Sequence, residues 1–192
     1  TYGQKSIKEL QFAKALVRKL EIQHIVIHFP ALGEMARGCA LTDPEIPIPE
    51  GIPEDDLGRS VIVPNRNMIF ISVAASYCLA WGVRTLFTAV NREDAALSPD
   101  CSPAVIDAMK KALEACDHYP ITLRAPYLQQ DKVDILRIGQ TLGVDYSLTW
   151  SCYSGEDRPC GRCASCLARR SAFERAGMKD PLECAQNRAP SR

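Results

Sequence analysis

The 192-residue chain lacks an excess of either charge: 23 Lys and Arg stand against 23 Asp and Glu. That balance argues against a protein whose main task is to coat nucleic acid, while leaving room for a local basic patch. No apolar run reaches the ~20 residues a membrane-crossing helix needs. The longest uncharged stretch, residues 67–83, carries Asn67, Ser72 and Ser76, so a buried helix is the better reading. The first residues show no signal-peptide pattern, and the expected location is cytoplasmic. Internal repeats and low-complexity segments are absent, which excludes a solenoid or a collagen-like chain. Residue 1 is Thr and not Met.

What is present is ordinary globular composition, 46% hydrophobic and 24% charged. A chain of this length can bury roughly 70% of its unfolded surface, enough for one full domain. Apolar residues at helical spacing run from Ile7 through Leu10, Ala13, Leu16 and Val17 to Leu20. The β-branched run His24–Phe29 reads as a buried strand closed by Pro30, its two histidines as packing residues. Residues 31–63 are rich in Pro, Asp and Glu and read as a mobile loop or lid. A buried helix over Asn67–Trp81 ends at Gly82. Strands are expected at Thr85–Val90 and Pro120–Leu123. Ser102-Pro103 predicts a capped helix start, with Val105, Met109 and Leu113 on one face. Asp131 caps a helix that Gly143 ends, Val144-Asp145 leads into another short strand, and a last helix runs from Ala164 to Gly177. The two tryptophans and Tyr77 read as core. Helix and strand alternate, which predicts an α/β fold with a mostly parallel sheet and helices on both faces. Ligands of such sheets bind at the carboxyl ends of the strands. Residues 1–150 form the expected main domain, and 151–192 a segment packed on it.

Nine cysteines in a chain of this type suggest metal ligands and buried thiols more than disulfides. Cys152, Cys160, Cys163 and Cys166 fall within 15 residues. Four thiolates suit a tetrahedral Zn²⁺, and CxxC spacing lets one tight turn present two sulfurs. Gly161 lets the chain turn back and Pro159 stiffens the approach. With every position a cysteine, no open coordination site remains for a catalytic water, so the zinc reads as structural. An iron–sulfur cluster or a redox CxxC are the competing readings.

Other signals are weaker alone. Arg66 and Asn67 open a helix, where backbone N–H groups favour an anion, but a capped helix with one surface arginine gives the same pattern. Asp94, Asp100 and Cys101 follow a strand end and read either as a turn or as a ligand site. Lys132 in a first helical turn opposes the helix dipole, which fits an anionic partner or a solvated lysine.

The segment Thr149-Trp-Ser-Cys-Tyr-Ser-Gly155, then Cys160-Gly-Arg-Cys-Ala-Ser-Cys166-Leu-Ala-Arg169 and Asp180-Pro181, closely resembles the 7-cyano-7-deazaguanine synthase family of the N-type ATP pyrophosphatase (PP-loop) superfamily. Tyr2-Gly3-Gln4, Ala40-Leu-Thr-Asp43, Pro64-Asn-Arg66-Asn67 and Lys132 extend the resemblance along the chain. It implies a PP-loop fold and an enzyme that uses ATP with Mg²⁺. The substrates it implies are 7-carboxy-7-deazaguanine and ammonia. The acid is adenylated, ammonia gives the amide, and a second ATP converts the amide to the nitrile. It assigns Arg66, Asn67 and Lys132 to ATP or phosphate, and Asp94, Asp100 and Cys101 to the deazaguanine. No catalytic residue is assigned. A homodimer is compatible with it; neither membrane nor nucleic acid is an expected partner.

Two departures stand out. The family's Ser-Gly-Gly-x-Asp-Ser loop, expected before Tyr2, does not occur in this sequence. The family stretch Asp-Tyr-Ser-Gly-Tyr-Pro-Asp-Cys-Arg reads here Asp94-Ala-Ala-Leu-Ser-Pro99-Asp100-Cys101-Ser102. These motivate two alternatives. One is a paralogue that stops at an amide or joins the activated acid to another amine, including one on a protein acceptor. The other is a non-catalytic, zinc-stabilised binding module.

Overall fold

The computed structural model describes residues 1–51 and 59–182. They form two compact units, one from residues 1–63 with 136–192 and the other from residues 64–135. The second unit is thus inserted into the first. The C-terminal four-cysteine segment belongs to the same unit as the N-terminal residues.

In the second unit, helix α3 (Arg66–Ala80) buries Ile71, Ala75 and Cys78 on one face. Ser72 and Ser76 return their hydroxyls to Met68 and Ser72 carbonyls on the exposed face. Strand β1 (Thr85–Phe87) and strand β2 (Thr122–Arg124) pair in parallel, Leu86 opposite Leu123. The crossover between them carries helix α4 (Arg92–Leu97), a 3₁₀ turn (Pro99–Cys101) and helix α5 (Pro103–Ala115). Ser102 caps α5, accepting from the Val105 N–H, with Pro103 in the first turn. Buried Ile106, Met109 and Leu113 of α5 pack with Ile71, Val90, Ile121 and Leu123 into this unit's core. Helix and parallel strand therefore alternate as expected for an α/β fold, and the sheet found among the described residues has two strands.

The first unit begins with helix α1 (Glu9–Lys19) and the short helix α2 (Pro30–Met35). Within the stretch expected as a loop or lid, Leu32, Ala36, Cys39, Ala40, Leu41 and Val63 are buried; its residues 52–58 lie outside the described residues. Gly33 lets α2 approach the Tyr2 carbonyl so closely that a Cβ there would overlap it. Helix α6 (Lys132–Thr141) starts in the second unit and ends in the first, its N-terminus capped by Asp131, which accepts from Asp134 N–H. Helix α7 (Ala164–Ala176) ends at Gly177, φ 69°, and the Met178 N–H reaches back to the Phe173 carbonyl. Arg169 of α7 holds Asp180 with two hydrogen bonds, at 2.7 and 2.8 Å, and also donates to Thr149 Oγ1 and the Tyr146 carbonyl.

Several expectations are corrected. Residues 24–29 belong to no strand and are mostly exposed, Ile25 at 51%. Their β-branched pattern encodes a strand, but a strand forms only against a neighbour. Among the described residues the neighbour is Thr1, its carbonyl accepting from the Phe29 N–H at 2.7 Å and its amino group donating to the Ile27 carbonyl. His24 and His28 are exposed rather than packed. Trp81 is 70% exposed and stacks on Tyr77. Residues 146–148 form a 3₁₀ turn, not the entry to a strand, because Asp145 accepts from Ser147 N–H and closes a local turn. No helix among the described residues is long and apolar enough to cross a membrane.

Candidate functional site

Two groups of chemistry-bearing side chains stand out, one in each unit.

In the second unit the carboxyl ends of β1 and β2 lead into residues 91–101 and 130–132. The Arg92 N–H bonds to the Gln130 carbonyl at 3.0 Å and ties the two segments together. Asn91 caps α4, its Oδ1 accepting from Glu93 and Asp94 N–H, while its Nδ2 donates to Asp94 Oδ2 at 2.6 Å. The other Asp94 oxygen faces Lys132 Nζ at 3.3 Å, and Glu93 Oε2 faces the same ammonium at 3.1 Å. Burial pulls the Lys132 pKa down, but Asp94 and Glu93 outweigh it and hold the lysine above its ordinary value. The trio carries one net negative charge.

A few residues on, buried Asp100 accepts from both the N–H and the Nδ2 of Asn67, at 2.8 and 3.0 Å. Asn67 Nδ2 also lies 3.1 Å from Cys101 Sγ. The Cys101 thiol is pushed up to about 11, first by burial and then by Asp100 and Asp94, with Arg66 opposing. It is therefore a neutral thiol at ordinary pH. All six residues expected from the sequence at an ATP or deazaguanine site, Arg66, Asn67, Asp94, Asp100, Cys101 and Lys132, thus lie in this unit. Direct contacts join Asn67 to Asp100 and Cys101, and Lys132 to Asp94.

Sequence reading missed Glu93 and Asn91. Asn91 had a usable signal, an Asx residue at a strand end ahead of two acids. The pairing of Glu93 with a lysine on another helix has no local signature.

In the first unit, Cys152, Cys160, Cys163 and Cys166 are all buried, and their sulfurs lie within 4.8 Å of one another. Cys160 and Cys166 Sγ are 3.9 Å apart. That is far beyond a disulfide at ~2.05 Å. It matches the ~3.8 Å edge of a tetrahedron built on ~2.3 Å metal–sulfur bonds. Backbone N–H groups point at the sulfurs: Cys160 and Ser154 at Cys152 (3.3 and 3.5 Å), and Cys163 at Cys160 (3.4 Å). Hydrogen bonds from Cys163 and Cys166 hold the Cys152 thiol well below its usual range, and the same contacts raise the other two. Four such sulfurs cannot all ionise side by side without a cation, and a divalent metal removes that conflict. Trp150 shields the cluster, donating its indole N–H to the Cys152 carbonyl and packing on Phe12. Gly155, φ 71°, brings this loop against the Lys5 carbonyl. The geometry suits a closed structural metal centre.

A family model described as queuosine biosynthesis protein QueC matches residues 1–177. A protein named 7-cyano-7-deazaguanine synthase from Caldicellulosiruptor saccharolyticus is 43% identical over 182 residues, 95% of this chain and 80% of the relative. One of the same name from Methanoregula boonei is 42% identical over 182 residues, 95% of this chain and 83% of its own length. A third, from Hahella chejuensis, is 40% identical over 181 residues, 94% of this chain and 78% of the relative.

Proposed function

The chain belongs to the queuosine biosynthesis protein QueC family, and from that membership we propose that it makes 7-cyano-7-deazaguanine from 7-carboxy-7-deazaguanine, ammonia and ATP. The observation that carries the proposal is the grouping of the six expected residues in the second unit, around the carboxyl ends of its two parallel strands. That is where α/β sheets bind ligands.

The chemistry sets the demands on the site. A carboxylate resists attack until one oxygen becomes a good leaving group, so ATP must first convert it to an acyl adenylate. Ammonia then displaces AMP to give the amide, and a second activation of the amide oxygen allows loss of AMP to leave the nitrile. Cations must hold the departing pyrophosphate. We assign that work to Arg66 and Lys132, with Mg²⁺ arriving on the nucleotide to neutralise further charge. Asp94 and Glu93 keep Lys132 protonated. A carboxylate suits the N–H groups of a guanine-like edge as an acceptor, and we assign Asp94 to them. Cys101, a buried neutral thiol, lies beside Asp100 and Asn67.

We further propose that the metal of the four-cysteine cluster is Zn²⁺ with a structural role, held by Cys152, Cys160, Cys163 and Cys166. The tetrahedral sulfur spacing and the inward N–H groups support it. A cytoplasmic location fits an ATP-consuming enzyme with free cysteines. A homodimer fits the exposed apolar side chains Trp81 and Phe87.

The test is product mass. The protein supplied with ATP, Mg²⁺, ammonia and 7-carboxy-7-deazaguanine is expected to yield the nitrile and two AMP per turnover. An amide as the end product, or a conjugate to another amine, refutes the proposal.

A further inference from the structure

The side-chain contacts of Asp100 differ from those a ligand-binding carboxylate would need. Helix α3 opens poorly on its own account. Asn65 stands at its N-cap in the left-handed conformation, φ 54°, and its side chain makes no capping hydrogen bond. A first turn leaves four backbone N–H groups without intrahelical partners. One of these, that of Asn67, is taken by Asp100, which arrives from the 3₁₀ turn 33 positions later in sequence. The same oxygen, Oδ2, also takes the Asn67 side chain at 3.0 Å. The second oxygen lies toward the neighbouring Cys101 thiol at 4.0 Å, and the residue is only 8% exposed. A carboxylate receiving two donors on one oxygen at a helix start is a cap supplied from another element. What it fixes is the turn that carries Arg66.

We propose that Asp100 is a positioning residue: it caps α3 from outside, sets the direction in which Arg66 faces the nucleotide, and does not itself contact the deazaguanine. The acceptors left for the base are then the carboxylates beside Lys132. The Ser98-Pro99 pair ahead of Asp100 serves the same end. Ser98 bonds to the Asp94 carbonyl, and Pro99 starts the 3₁₀ turn that aims Asp100 at α3. This inference rests on the assignment of Arg66 to the nucleotide phosphates.

The experiment compares Asp100→Ala, Asp100→Asn, Arg66→Ala and the Ala/Ala double variant of the full chain. It measures KM for ATP and for 7-carboxy-7-deazaguanine separately, together with hydrogen exchange of the Asn67 amide. An asparagine carbonyl can accept both donors from Asn67, whereas it cannot offer two acceptors to a pair of ligand N–H groups. Asp100→Ala is therefore expected to raise the KM for ATP about tenfold, to speed exchange at Asn67, and to leave the KM for the deazaguanine within about twofold. Asp100→Asn should stay near the parent protein in both. The double variant should be no worse than Arg66→Ala, since both changes remove one function. If Asp100→Asn raises the deazaguanine KM as much as Asp100→Ala while Arg66→Ala behaves as expected, the positioning role is overturned and the assignment of Arg66 survives. If Arg66→Ala leaves the KM for ATP unchanged, that assignment fails, and the inference built on it falls as well.

Discussion

Gly33→Ala sets two effects of known size against each other. Gly33 lies inside α2, and its φ is not in the left-handed region. Helix propensity alone therefore predicts a gain of ~0.8–1 kcal/mol for alanine. The structure predicts the opposite sign. A Cβ at this position would sit 2.0 Å from the Tyr2 carbonyl oxygen and 3.2 Å from its carbon, against an ordinary carbon contact of ~3.5–4.0 Å. The obstacle is backbone and cannot rotate aside. Nor can it readily retreat: Tyr2 is 6% exposed, its N–H is bound by Gln4 Oε1 at 2.9 Å, and Gln4 is in turn bound to Glu9. Overpacking of this kind costs ~1–3 kcal/mol or somewhat more. A backbone oxygen at 2.0 Å puts this site in the upper part of that range, so after the propensity gain a net loss of ~1–2 kcal/mol remains. For a chain of this size each kcal/mol moves Tm by ~2–4 °C. Thermal unfolding followed by circular dichroism should therefore show Gly33→Ala melting ~2–8 °C below the parent. An unchanged or raised Tm would refute the reasoning, because it would mean that α2 and residues 1–3 are not packed together as described.

Two further outcomes can be checked. Cys160→Ser removes one of four sulfur ligands; bound zinc should fall well below one per chain by elemental analysis, and the first unit should lose stability, since a structural metal contributes folding free energy. Full metal content would sink the four-sulfur centre. The Lys132 ion pairs raise the lysine pKa, so their contribution is complete below the unfolded lysine value of ~10.4 and is lost only as pH rises through the higher folded value. The stability gap between the parent and Lys132→Met, from urea titrations, should hold steady across about pH 6–9 and close only in stronger alkali; a gap that closes near neutrality would contradict the pairing.

Local signals in the sequence were reliable where the physics is local. The cap at Ser102-Pro103, the Asp131 cap and the Gly177 stop depend on a few adjacent backbone groups, and each appears where the residues place it. The four cysteines carry their own geometry, because the spacing of ligands constrains the turn that joins them. Extended structure was harder to read. Residues 24–29 have the composition of a strand, but their pairing is a property of what lies beside them. Burial of Trp81 could not be read from hydrophobicity either, because a large apolar ring at a helix end faces whichever side the last turn leaves it. In the candidate site, the residues named from resemblance lie in one unit as two separately bonded groups, while Glu93 escaped notice. Its meaning lies in a lysine 39 positions away, and only folding brings the two side by side.

The insertion of residues 64–135 within the first unit has a consequence for how the protein is made. The second unit is one continuous stretch, so it has all its own parts before the ribosome reaches α7. The first unit has to wait. Residues 1–63 emerge before the inserted unit, but the four clustered cysteines of their own unit end at Cys166. At ~5–20 residues per second, that interval is roughly 5–20 s. Throughout it, Leu32, Leu41 and Val63 have no finished core to enter. Any metal capture by Cys152, Cys160, Cys163 and Cys166 follows that interval, and with it the joining of residues 1–63 to the residues from 136 onward in one unit. A premature stop between residues 136 and 166 would leave the inserted unit with its full sequence and strand residues 1–63 without the rest of their unit, a polarity opposite to that of proteins assembled domain by domain from the N-terminus.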